Sequence, residues 1–258
     1  MSEPASSTPP PGHVGAIGPR ASYQHRVHRF SGSERALHMV HGSSFLAMMA
    51  TGFMLGLPCM VKAYGAEHRP LVLDVHLVIA ALWATALSLV WIFGDRARLR
   101  HTREQFESLD ADDLLWLRSK AARQAPQARF NGGQKLHAIV QAALTVILFA
   151  SGIALWVELK ASGFAVPGAL GVHDYAMAVA VFFVVGHVGM ALSPRIRTSL
   201  PSILRGTVPA SYARSHHADW DESDDPREIR PPRTAGRLFV GAVALGCGVV
   251  VAVALTNV

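Results

Sequence analysis

Five stretches of about twenty mostly apolar residues dominate the chain, at roughly 37–57, 71–93, 136–156, 172–192 and 236–255. Each has the length an α-helix needs to cross the ~30 Å hydrocarbon core of a bilayer. Within that core backbone amides must be satisfied inside the segment, so stretches of this kind span as helices. The fold class is accordingly all-α integral membrane. Half of the residues are hydrophobic and 16% are charged, with a mean hydropathy of +0.27, and the charges gather between the apolar blocks. That distribution excludes a soluble globular pattern.

The connections give the orientation. Arg20, Arg26, Arg29 and Arg35 precede the first block, nine Lys and Arg from Arg96 to Lys135 lie between the second and third, and eight Arg from Arg195 to Arg237 follow the fourth. The remaining connections carry Lys62, Arg69 and Lys160. By the positive-inside rule the N terminus and the 94–135 loop are cytoplasmic, and a fifth span leaves the C terminus outside. The formal charge of +6 and pI near 9.8 then follow from topology and contact with anionic membrane lipid. No nucleic-acid partner is expected, because no stacking motif or nucleic-acid fold pattern accompanies the charge. Cys59 and Cys247 stand outside any C-x-x-C-H sequence, which excludes covalent c-type haem and cysteine-bound iron–sulfur clusters within this chain. Residues 1–30 are rich in Pro, Ser and Gly and lack the apolar core of a secretory signal; they read as a disordered, uncleaved tail.

Chemistry enters with the histidines. His173 and His187 lie fourteen residues apart in the fourth block, ~21 Å along a helix and within ~40° of one another around it. One helix thus presents two imidazoles to one face at two depths. His38 lies near the cytoplasmic start of the first block, at the depth of His187, and His76 near the outer start of the second, at the depth of His173. Two cross-helix pairs result. Neutral imidazole is a common haem ligand and intramembrane ionisable groups are costly, so the sharp reading is two stacked b-type haems. The plainer reading is two hydrogen-bonded polar pairs in a helical bundle, as in a haem-free membrane anchor or small transporter.

Other polar residues receive structural expectations. His41, one turn after His38, suits a polar contact with a neighbouring helix or a haem propionate. His137 opens the third block and snorkels towards water. Asp74 and Asp174 are candidate orienting partners for the outer imidazoles, or interfacial residues. Asn131, Gly133 and Gln134 precede the third block in Arg129-Phe130-Asn131-Gly132-Gly133-Gln134-Lys135. The glycines allow backbone amides to approach a ligand at a helix start, the amides supply a polar pocket, and Lys135 can balance charge there. His216-His217-x-x-Trp220 fits a docking or capping role better than a metal site. The acidic run from Asp219 to Asp225 reads as a solvated linker.

These residues, in this order and spacing, resemble the gamma subunit, a dihaem cytochrome b, of membrane-bound formate dehydrogenases. The likeness covers roughly residues 31–222. It rests on Glu34-Arg35-Ala36-Leu37-His38, His76, Phe130 to Lys135, the His173 and His187 spacing, and Gly206-Thr207-Val208 leading to His216-His217-x-x-Trp220. The resemblance implies two haem b, with His76 and His173 as ligands of the outer and His38 and His187 of the inner. It places menaquinone or another quinone beside the inner haem, at the positions of Asn131, Gly133, Gln134 and His187. It implies iron–sulfur and molybdenum or tungsten catalytic partner subunits in a bacterial cytoplasmic (inner) membrane, with formate oxidised outside this chain. Thiosulfate-reductase and hydrogenase cytochromes share the architecture. The expected organisation is a tail at 1–30, a four-helix haem-binding bundle at 31–222 and a linker with a peripheral fifth transmembrane helix at 223–258.

Overall fold

The computed structural model describes residues 26–119, 121, 123, 127–160, 164–194, 196–221, 223 and 225. Among them four helices are long and apolar enough to cross a membrane: α1 (Gly32–Gly56), α3 (Arg69–Phe93), α6 (Gly132–Lys160) and α7 (Ala169–Leu192). A short α2 (Pro58–Tyr64) links the first two. The fifth apolar block lies outside the described residues. Large side chains such as Phe182 and Val185 stay exposed, as the outside of a membrane bundle requires, since lipid is as apolar as a core.

The helices form two hairpins, α1 along α3 and α6 along α7, with contact between the hairpins sparse by comparison. They meet in a middle layer where Phe45 of α1 packs with Leu144 of α6 and with Ala176 and Ala180 of α7. Ala180 is fully buried and lies seven residues from both His173 and His187. The interior is therefore closed midway, with an imidazole layer on either side.

The 94–135 connection is helical in two places, α4 (Arg96–Glu107) and α5 (Ala111–Arg118), where the sequence led us to expect a loop. Asp95 starts α4 by accepting from Ala97 N and Arg98 N, and Asp110 and Asp113 form a reciprocal capping box on α5. Caps of this kind are worth ~1 kcal/mol each. After α7 come α8 (Pro201–Arg205), a strand β2 (Thr207–Pro209) and α9 (Ala210–His216). Gly206, at φ +79°, turns the chain from α8 into β2, and its carbonyl accepts from Arg29 N (2.7 Å) and Phe30 N (3.0 Å).

β2 pairs antiparallel with β1 (Arg26–His28). Residues 26–30, assigned from sequence to the tail, thus form a strand and a buried continuation in which Arg29 is 1% exposed. The reason is a charge network at the His38 end of the bundle. Glu34, on the first turn of α1, accepts from Arg129 Nη2 at 2.5 Å and lies 3.5 Å from Arg98 Nε. Arg129 Nη2 also donates to the Arg29 carbonyl. Asp225 completes the network, 3.3 Å from Arg98 Nη1 and 3.3 Å from His101 Nε2, with its side chain 6% exposed. This corrects the solvated-linker reading at Asp225: a carboxylate can be buried there because arginines meet it.

Candidate functional site

The structure brings the predicted imidazoles together as two pairs. The ring centroids of His38 and His187 are 6.3 Å apart, and those of His76 and His173 6.4 Å. With a metal–nitrogen bond of ~2.0 Å and ~1.2 Å from ring nitrogen to ring centre, two imidazoles sharing one metal have centroids ~6.4 Å apart. The separations of the two pairs fit one haem iron each.

Hydroxyl groups hold the His76–His173 pair. Thr51 Oγ1 on α1 is 2.7 Å from His76 Nδ1, and Ser151 Oγ on α6 is 2.9 Å from His173 Nδ1. Each hydroxyl proton is directed at a backbone carbonyl, from Thr51 to Met48 O at 3.0 Å and from Ser151 to Ile147 O at 2.7 Å. The oxygens therefore accept, and the imidazoles donate from Nδ1. Each ring is left with an unprotonated Nε2, the form in which histidine binds a metal. Asp74 and Asp174, the carboxylates considered as orienting partners, do not take this position.

Sequence reasoning missed Thr51 and Ser151, although a signal was present. Ala50-Thr51-Gly52 on α1 and Ala150-Ser151-Gly152 on α6 repeat one pattern a hundred residues apart, each ahead of a helix bearing a histidine. A Cβ on Gly152 would sit 3.5 Å from His173 Cε1, an ordinary contact distance, so α6 runs directly beside that ring.

At the other layer the remaining histidines sort by their partners. Trp83 Nε1, which can only donate, points at His41 Nδ1 (3.3 Å), so His41 carries its proton on Nε2. That nitrogen is 3.3 Å from the Gln141 amide, whose carbonyl end must face it to accept. Both nitrogens of His41 are engaged with neighbouring helices, in line with the expected polar contact. His137 does not merely snorkel: its ring stacks on His187 with centroids 4.5 Å apart and planes within 10°.

The Asn131 to Lys135 segment is first of all a helix start. Gln134 N donates to Asn131 Oδ1 (3.0 Å) and Asn131 N to Gln134 Oε1 (3.1 Å), a reciprocal cap. The cap engages both side-chain oxygens, leaving the two amide nitrogens as donors for another group. Gly132 and Gly133 serve close packing of α5: a Cβ would lie 2.5 Å from the Asp113 carbonyl oxygen and 2.5 Å from the Trp116 ring, respectively. Lys135 is tied to Asp113 Oδ2 at 2.6 Å and to Ser108 O, so it is not available to balance charge on a ligand. Two residues beyond Lys135, His137 joins this segment to His187.

The His216 and His217 cluster is structural. His216 stacks on Tyr212. His217, 4% exposed, donates from Nδ1 to the Ala128 carbonyl at 2.8 Å. Burial first, and then the Arg29 guanidinium, push its pKa down to about 3. An unfolded histidine titrates near 6.5, so between about pH 6.5 and 3 the unfolded chain holds the extra proton. Stability from this site is complete above pH 6.5 and is lost as pH falls through that window. His217→Gln is expected to lose up to about 2 kcal/mol less than the parent between pH 7.5 and pH 5, measured by thermal unfolding in detergent. Equal losses in the two proteins would remove His217 as the cause.

The sequence profile of prokaryotic cytochrome b561 matches residues 29–206. The chain is 25% identical over 120 residues to the formate dehydrogenase cytochrome b556(fdo) subunit of Escherichia coli K12, and equally to those of strains O6:H1 and O157:H7. The match covers 43% of this chain and 56% of each relative, so the chain spans about half the length of the curated relatives it matches.

Proposed function

The chain belongs to the prokaryotic cytochrome b561 family, whose members are haem b membrane cytochromes, and on that premise we propose a dihaem subunit of a formate dehydrogenase complex. In this role it anchors the complex in the bacterial inner membrane and conveys electrons from an iron–sulfur partner subunit to quinone. The observation that carries the reading is the spacing of the two imidazole pairs, 6.3 and 6.4 Å, on either side of one closed layer. The similarity to formate dehydrogenase cytochrome subunits supports formate as the substrate of a partner catalytic subunit.

Haem, when bound, supplies one-electron transfer. The residues of the chain do the rest. His76 and His173 would hold the haem nearer the outer face, and His38 and His187 the inner one, each through two imidazoles, a ligand set that suits electron transfer. Thr51 and Ser151 fix the ligating tautomer. At the His187 end the amide nitrogens of Asn131 and Gln134 point donors at a quinone carbonyl, with Gly133 keeping the helix start against α5. His187 is then both ligand and neighbour of the quinone. The arginine-rich end is cytoplasmic, in keeping with the positive-inside rule, and the protons that quinone takes up come from that side of the membrane. Residues 31–222 form the haem domain, and 223–258 add a linker and a peripheral fifth span.

Pyridine haemochrome analysis of the purified chain should give about two haem b per chain, with a reduced b-type α band; well-folded protein without haem sinks the reading. Native co-purification decides the substrate: a molybdopterin subunit with formate activity is expected, and a nickel–iron subunit excludes formate dehydrogenase.

A further inference from the structure

We propose that Thr51 and Ser151 are positioning residues that set the reduction potential of the haem held between His76 and His173, an inference that rests on those two histidines being axial ligands. The two hydroxyls act on opposite ligands of one site, from opposite hairpins, through contacts of 2.7 Å and 2.9 Å. Each is immobilised by its own bond to a backbone carbonyl. An acceptor on Nδ1–H draws that proton outward and makes Nε2 a stronger donor to the metal. Stronger donation stabilises ferric over ferrous iron and lowers the potential. Both ligands are treated alike, so the two contributions have the same sign.

The other site differs. Among the described residues neither His38 nor His187 has a serine or threonine hydroxyl on a ring nitrogen, and His187 is covered by the stacked His137 ring. Substitution at 51 or 151 therefore reads one site against an internal control. The hydroxyl of the repeated Ala-[Ser/Thr]-Gly on α1 and α6 is explained at the same time: in each copy it anchors one ring.

The test uses the full chain purified with its haem. Thr51→Val removes the hydroxyl at nearly constant volume, and Ser151→Ala removes one oxygen. Redox titration followed optically should show one midpoint raised by roughly three- to tenfold in the ferrous-to-ferric ratio, ~30 to ~60 mV for one electron, and the other unmoved. The double variant should shift further in the same direction, and the low-spin ferric electron paramagnetic resonance signal of that haem should move with it. Thr51→Ser and Ser151→Thr keep an acceptor and should restore the parent potential. Unchanged potentials in haem-replete Thr51→Val and Ser151→Ala overturn the proposal. So does an equal shift in the hydroxyl-retaining variants, or a shift confined to the haem that survives in His76→Ala. If Thr51→Val fails to assemble, Ser151→Ala alone decides by the same criteria. Failure of the underlying ligand assignment shows separately, as two haems retained in His76→Ala.

Discussion

His173→Ala is expected to purify with half the haem of the parent chain, whereas His41→Ala keeps the full amount. The two residues are intramembrane histidines of similar partial burial, and composition does not distinguish them. Their hydrogen bonds do. His173 spends Nδ1 on Ser151 and faces His76 across a gap of one metal and two bonds. His41 spends one nitrogen on Trp83 and the other on Gln141, so ligation by it would break two contacts in a medium where unpaired polar groups cost several kcal/mol. His137 is a third case. Its ring is stacked face to face on His187, while imidazole lone pairs lie in the ring plane, so these two rings cannot both direct a nitrogen at a metal between them. His187→Ala and His38→Ala should each remove the second haem, and His137→Ala should leave two haems. Haem per chain by pyridine haemochrome, with the amplitude of the reduced α band, measures all five variants; a haem lost from His41→Ala but kept in His38→Ala would reassign the inner pair.

The long-range arrangement was legible because helical geometry fixes it. Fourteen residues on one helix determine two depths, and alternating span directions give each depth a partner. The hydroxyls were not legible in the same way. Serine and threonine in apolar helices commonly bond the carbonyl three or four residues back, so Thr51 and Ser151 look like filler until their second contact is seen. The Asn131 to Lys135 motif was ambiguous for a physical reason. Amides and glycines at a helix start suit both a ligand pocket and a reciprocal cap under a crossing helix, and the deciding groups, Asp113 and Trp116, are about twenty residues away. Asp225 shows the same limit. An acidic run reads as solvated unless a buried cation meets it, and Arg98 comes from the other side of two spans.

That network carries the second large effect. Glu34→Ala is expected to destabilise the protein by roughly 3–5 kcal/mol, the cost of removing one partner from a buried ion pair. The side chain of Glu34 has four partners. It accepts from Arg129 at 2.5 Å and from the Thr102 hydroxyl, lies 3.5 Å from Arg98, and closes the α1 cap by accepting from Ser31 N at 2.6 Å. Arg98 and Arg129 are 3% and 1% exposed, so they cannot recover water when the carboxylate goes. Asp225 remains, but at 3.8 Å from Arg129 Nη1 it offsets little of the loss. Arg129→Met in the Glu34→Ala background should recover part of the stability, because it removes the stranded charge with its partner. Thermal unfolding of the detergent-solubilised single and double variants measures the cycle, and strictly additive losses would show that the pair is not coupled. Loss of Glu34 also frees the entry to α1, on which His38 stands one turn later, so the same variant should hold its inner haem less tightly while the His76–His173 haem, at the far end of the helices, stays.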